Sequence, residues 1–229
     1  MSAGYQLPFR IRLARWILRP VFRGIFRLIG RVEIDGVENI PARGGYLIAA
    51  NHVSLFDPPL VLAFWPEEPE AVGAVDIWQR AGQSILVRLY GVIPVHRGEY
   101  DRYLMKNAEA ALLSGRPLMI MPEGGRSHAP GMRRAAPGVA YIVEKTGIPV
   151  VPVGVVGTTD DYFQRAMRGE KPLLHMHIGA PLQLPPVDGK GEARRRRRQE
   201  NADLIMAHIA ALLPTEYQGV YADKTNISF

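Results

Sequence analysis

A chain of 229 residues, 47% apolar and 22% charged, has the balance of one globular domain with a sizeable core, and not that of a disordered or multi-spanning protein. It holds no cysteine, which excludes disulfides, thiolate metal sites and a cysteine nucleophile. The net charge of +6 is concentrated: residues 1–31 carry seven arginines and no carboxylate, while the remaining 21 basic and 22 acidic residues nearly cancel.

Such a local excess points to an anionic partner, nucleic acid or a membrane surface. Between Leu7 and Ile29 the positions that are not arginine are mostly large and apolar. At 100° per residue Arg12, Arg15, Arg19, Arg23 and Arg27 fall within an arc of about 120°. The pattern predicts a helix in the headgroup plane, these arginines toward lipid phosphates and Trp16, Phe22 and Phe26 sunk into acyl chains. A nucleic-acid-binding helix has no need of so broad an apolar face. The plainer alternative is a helix docked on the core with an arginine-rich outer face. Pro20 is expected to kink or split the helix. After Arg10 no run between arginines exceeds three residues, too short for a spanning helix or a signal-peptide core. Residues 1–30 therefore read as a membrane-association segment and 31–229 as the folded domain.

Strand-like runs follow at 31–35, 45–50, 71–75, 91–96, 117–122, 149–156 and 172–178. Helical segments fall near 58–64, 77–89, 100–114, 137–146 and 198–213. This alternation predicts a sheet covered by helices. Asp57 before Pro58 reads as a helix N-cap. The prolines of 149–156 predict an edge or bulged strand. The run Arg194–Arg198 reads as a solvated entry to the last helix, with a second phosphate or membrane contact as the sharper alternative.

Four stretches carry residues capable of chemistry. Asn51 to Pro58 follows an apolar strand and precedes a helix, a place where α/β enzymes expose reactive side chains. Folded together in that turn, the Asp57 carboxylate fixes the His52 tautomer and leaves the other ring nitrogen to accept a proton. Alone, such a pair is often chance. Ile93 to Gly98 and Met121 to Ser127 each lead from a strand into an arginine, Arg97 and Arg126, and two such arginines can clamp a phosphate. Singly, each arginine is more ordinarily a surface ion pair. The fourth, Gly147 to Gly154, is an apolar proline strand that lines a channel or simply fills core. A serine-hydrolase elbow, a Walker loop, a dinucleotide fingerprint and an H-E-x-x-H zinc motif are all missing. His175 and His177 share a strand face, but two histidines without a third ligand point to an exposed face rather than zinc. His128 reads as a loop residue and His208 as a helix residue.

In this order, Asn51-His52-x4-Asp57, Arg97-Gly98, Pro122-Glu123-Gly124-Gly125-Arg126-Ser127 and the proline strand make residues 45–160 resemble the glycerolipid acyltransferases, 1-acylglycerol-3-phosphate acyltransferases among them. The tail from Ile205 to Asp223 resembles the ending of bacterial members. The resemblance implies a single α/β domain with a mixed central sheet flanked by helices, of the glycerol-3-phosphate acyltransferase kind. It implies His52 as base, Asp57 as its orienting partner, and Arg97, Glu123 and Arg126 on the acceptor's glycerol phosphate, with Gly98, Gly124 and Ser127 shaping the pocket. Gly125 stands where the family usually has threonine, which bears on acceptor choice. Arg133 and Arg134 are candidates to extend the phosphate site.

The expected reaction is 1-acylglycerol-3-phosphate O-acylation to phosphatidate in phospholipid biosynthesis. Acyl-CoA or acyl carrier protein is the donor, with no further cofactor and no metal. Expected partners are an anionic membrane surface and a lysophospholipid, not nucleic acid, at the cytoplasmic face of the cell membrane. Acylation of another lysophospholipid or glycolipid hydroxyl, or a non-catalytic lipid-binding role, are the alternatives.

Overall fold

In the computed structural model, which describes residues 5–98 and 101–223, the seven expected strands all form. They are β1 (Arg31–Asp35), β2 (Leu47–Ala50), β3 (Glu70–Ala74), β4 (Ile93–Val95), β5 (Leu118–Ile120), β6 (Val150–Val156) and β7 (Leu173–Ile178). The helices are α1 (Phe9–Ile29), α2 (Asp57–Phe64), α3 (Gln83–Tyr90), α4 (Arg102–Leu113), α5 (Gly138–Thr146), α6 (Tyr162–Met167), α7 (Gly191–Ala210) and α8 (Thr215–Gln218). Tyr100, where the fourth helix was expected to begin, lies outside the described residues. The helix expected over 77–89 divides into a 3-10 turn at Val75–Gln79 and α3, and α7 begins before the arginine run rather than after it.

The strands form one sheet in the order β1-β7-β6-β2-β5-β3-β4. Strands β2 to β6 run parallel, β7 is antiparallel to β6, and β1 is parallel to β7, so the sheet is mixed. The parallel arrangement matters for function. It delivers the C-terminal ends of β2, β4, β5 and β6, and with them all four sequence blocks, to one edge.

Alternation along the strands splits the core in two. Leu47 and Ala49 of β2 join Val139, Ile142, Ile205 and Ile209 beneath α5 and α7. Ile48 and Ala50 face the other way, with Val151, Val153 and Val155 of β6 and Leu60 of α2. Because β6 is covered on both faces and paired on both sides, the expected edge position is corrected: it is central. Pro152 is tolerated because its nitrogen turns toward the chain after Ile178, where β7 has ended. Its carbonyl still accepts from Gly179, at 2.9 Å.

Helix α1 also departs from expectation. It is continuous through Pro20, whose position is exposed. Its arginine stripe turns inward and its apolar stripe outward. Phe26 is buried and Phe22 half-buried, while Phe9, Leu13, Trp16, Ile17, Val21 and Leu28 are exposed. Arg15 has no accessible surface. Its guanidinium gives Glu70 two bonds, of 2.9 and 2.7 Å, donates to the Tyr90 carbonyl at 2.8 Å and lies 4.4 Å from the Tyr90 ring centroid. Arg19 and Arg23 donate to the carbonyls of Leu62, Ala63 and Trp65, the last turn of α2 and the residue after it, where backbone acceptors lack partners and the helix dipole favours cations. Only Arg10, Arg12 and Arg27 of the helix's arginines are exposed. Both sequence readings of this helix placed its arginines outward. Buried carboxylate and carbonyl acceptors in the domain reverse that.

Burial alone would raise the Glu70 carboxyl, but the bonds and charge of Arg15, with Arg116 at 2.7 Å, outweigh it and hold the pKa below the usual range. A depressed carboxylate stabilises the fold above its unfolded pKa, and that contribution fades as pH falls through the folded value. Arg15→Ala takes the buried cation and two bonds from Glu70 and leaves it to the partly exposed Arg116. The expected loss is about 3–5 kcal/mol at neutral pH, read by urea unfolding; a loss under about 1 kcal/mol would contradict this account of how α1 is held.

Candidate active site

The site begins where β2 ends. Asn51, buried, gives its side-chain amide to the Val155 carbonyl at 2.9 Å and accepts from the Val155 N–H at 2.7 Å. It thus substitutes for a further rung of the β2–β6 ladder and frees the chain to turn at His52. Asp57 does not cap α2 with its side chain as expected. The fully buried carboxylate reaches back instead: Oδ2 lies 2.9 Å from His52 Nδ1 and accepts from Ser54 N–H at 2.8 Å, and Oδ1 accepts from the Thr158 hydroxyl. A carboxylate so placed selects the tautomer with hydrogen on Nδ1. Nε2 keeps its lone pair, and the ring, 15% exposed, borders two cavities.

Glu123 takes a part that the sequence did not suggest. Its Oε1 accepts from the His52 backbone N–H and its Oε2 from the Arg133 N–H, each at 2.7 Å. Burial pushes its carboxyl above the usual range against the pull of those two bonds. It ties loops together rather than presenting a free carboxylate to a ligand. Ser127 and His128 continue the tie, donating backbone N–H groups to the His52 and Val53 carbonyls at 2.8 and 3.0 Å. The Ser127 hydroxyl is spent on the Ala129 carbonyl at 2.6 Å.

Arg97, Arg126 and Arg133 line, with His52, a cavity of about 410 Å³ that continues past Pro59 and Leu62 to Leu18 and Phe22 of α1 and to Leu86, Val87 and Tyr90 of α3. It is cationic near His52 and mostly apolar beyond. Gly125 sits under the guanidiniums. A Cβ there would lie 3.1 Å from Arg133 Nη1 and 3.9 Å from Arg97 Nη1, so a threonine would crowd Arg133. Arg134 points elsewhere, to Asp203 at 3.0 Å. Gly98 and Gly124, with φ of 83° and 66°, make turns that favour glycine and border a second cavity of about 1070 Å³. That cavity leads from His52 along α5 to Arg195 and Arg198 of α7.

The acyltransferase family profile matches residues 31–156, more than half of the chain. This protein belongs to the glycerolipid acyltransferase family. Among its relatives, lyso-ornithine lipid O-acyltransferase of Pseudomonas aeruginosa is 28% identical over 226 residues, covering 91% of this chain and 83% of the relative. The 1-acyl-sn-glycerol-3-phosphate acyltransferase of Borreliella burgdorferi is 22% identical over 150 residues, 65% and 60% of the two chains. The crystal structure of PlsC, the 1-acyl-sn-glycerophosphate acyltransferase of Thermotoga maritima, shares the fold with a TM-score of 0.61 at 22% identity over 85% of this chain and 79% of that one. In this acyltransferase His52 and Asp57 are adjacent as anticipated, and Arg97, Gly125 and Arg126 border one cavity with His52. Thr158 and the Ser54 amide were not foreseen as partners of Asp57. The polar Thr158-Thr159 pair closing an apolar strand was the one sequence sign of the former.

Glu123→Gln puts an amide N–H₂ against a backbone N–H. Urea unfolding should fall by about 1–3 kcal/mol. An unchanged midpoint would mean that Glu123 is not the tie between the two loops.

Proposed function

We propose that this acyltransferase acylates the free hydroxyl of an anionic lysolipid, 1-acylglycerol-3-phosphate before others, at a membrane surface. The reading rests on one observation: a histidine oriented by a buried carboxylate opens onto a cavity that carries three arginines beside it and apolar walls beyond. His52 Nε2 takes the hydroxyl proton as the oxygen attacks the thioester carbon. Asp57 stabilises the imidazolium. The C–S bond then breaks, and the departing sulfur takes the proton back. No covalent enzyme intermediate is required, because a thioester is already activated. General-base catalysis of this kind is worth about 10²–10⁴-fold.

Arg97, Arg126 and Arg133 suit a phosphate or carboxylate head group. The space at Gly125 and the relative named for a lyso-ornithine lipid favour a second acceptor, a lysolipid with a bulkier head. The donor's pantetheine arm, common to coenzyme A and acyl carrier protein, is proposed to enter by the second cavity, where basic Arg195 suits an anionic carrier. Release of thiol from palmitoyl-coenzyme A is the test, with lysophosphatidate or lyso-ornithine lipid as acceptor. Acceptor-dependent release that falls about 10²–10⁴-fold in His52→Ala is expected. Equal release from the variant would remove His52 as base, and the faster acceptor names the substrate. Gly125→Thr should raise the KM of the bulkier acceptor more than that of lysophosphatidate.

No helix among the described residues is long and apolar enough to cross a membrane. We place α1 in the interface by its outer face, Phe9, Leu13, Trp16 and Leu28, continued by Ile85 and Leu89 of α3, while Arg10, Arg12 and Arg27 reach lipid phosphates. Thioester donors belong to the cytoplasm, so the cytoplasmic leaflet is the one proposed. Leu13→Glu combined with Trp16→Glu should weaken sedimentation with phosphatidylglycerol vesicles by at least about tenfold. Unchanged binding would move the lipid contact off this face.

A further inference from the structure

Three metal-ligating side chains that do not line the arginine cavity converge on one another. His175 and His177, two apart on β7, project from the same side of the sheet, and β1 brings Asp35 directly beside His177 in register. His175 Nε2 lies 2.6 Å and His177 Nδ1 3.5 Å from the same carboxylate oxygen, Asp35 Oδ2. The three ligand atoms all fall within 4.8 Å of one another. Ligands at about 2.0–2.1 Å from a tetrahedral zinc stand roughly 3.3 Å apart, so closing this triad on an ion needs only side-chain adjustment.

We propose that Asp35, His175 and His177 form a site for a divalent transition cation of the zinc type, which staples edge strand β1 to β7.

The donor set, two imidazoles and one carboxylate, suits zinc, cobalt or nickel rather than magnesium or calcium, which prefer all-oxygen shells. An ion pair is a poorer account of the cluster. The imidazole centroids are 3.6 Å apart with the rings tilted by 40°, and one carboxylate cannot neutralise two imidazoliums so close together. The histidines are 20% and 30% exposed and Asp35 65%, so an ion can enter and keep water in its remaining position. Among the described residues β1 pairs with β7 alone, and it follows α1 directly, so an ion here would fasten the strand that joins the first helix to the domain.

The test uses the full, untagged chain after dialysis against a chelator. Cobalt(II) is titrated in while its visible ligand-field bands are followed, and zinc is then added in competition. One cobalt per chain is expected, with a dissociation constant in the micromolar range or below, displaced by zinc. Saturating zinc should raise the thermal midpoint by about 5 °C or more. His175→Ala and His177→Gln should each abolish the bands, and Asp35→Asn should weaken binding at least about tenfold. Circular dichroism matching that of the parent checks that the variants fold. Absence of bands at millimolar cobalt would overturn the site. So would one-to-one binding that persists unchanged in a His175→Ala/His177→Gln double variant.

Discussion

A carboxylate sealed inside a protein must find donors for both oxygens, and Asp57 organises the active edge through that need. Its partners come from three segments: His52 from the end of β2, the Ser54 amide from the following turn, and Thr158 from beyond β6. None can move without leaving a buried charge short of a bond. The histidine ring is therefore aimed before any substrate arrives, and the loops that carry it are fastened by the same contacts. Glu123 repeats the device next door, dividing its two oxygens between the His52 and Arg133 backbones. Two buried carboxylates thus couple His52 to the loop bearing Arg126 and Arg133. A shift in either loop is felt at the other.

The same logic explains the first helix. A helix rich in arginine and aromatic residues has two ways to sit on a domain, and the choice depends on what the domain offers. Here it offers Glu70, buried at the start of β3, and the bare carbonyls at the end of α2. Satisfying those draws Arg15, Arg19 and Arg23 inward. The apolar positions between them are left outside, beside the apolar flank of α3. The resulting surface is more hydrophobic than an outward arginine stripe would be. It also lies next to the apolar arm of the cavity that reaches His52.

Gly125 shows how a single absent side chain reshapes a site. The position faces Arg133 closely enough that a Cβ would press on its guanidinium. With glycine there, three arginines share one cavity with His52. If this cluster holds the acceptor's head group, as proposed, it suits more than one anion, and acceptor identity then turns on shape rather than on charge.

Much of this was legible in the sequence. The seven strands follow from short apolar runs punctuated by glycine and proline, and His52 with Asp57 from a spacing of five across a strand-to-helix turn, because these are local properties. The centrality of β6 was not legible: it depends on where the chain ends β7 and so relieves Pro152 of a donor. Nor was the direction of α1, since one helical pattern serves either face until Glu70 and the end of α2 are placed against it. His175 and His177 read as an incomplete pair because Asp35, their third neighbour, lies far off along the chain and is joined to them only by strand pairing. The sequence by itself determined the strands and the pairing of His52 with Asp57. Only the tertiary structure decided which buried donors and acceptors meet, because those pairings join segments whose separation along the chain carries no trace of their contact.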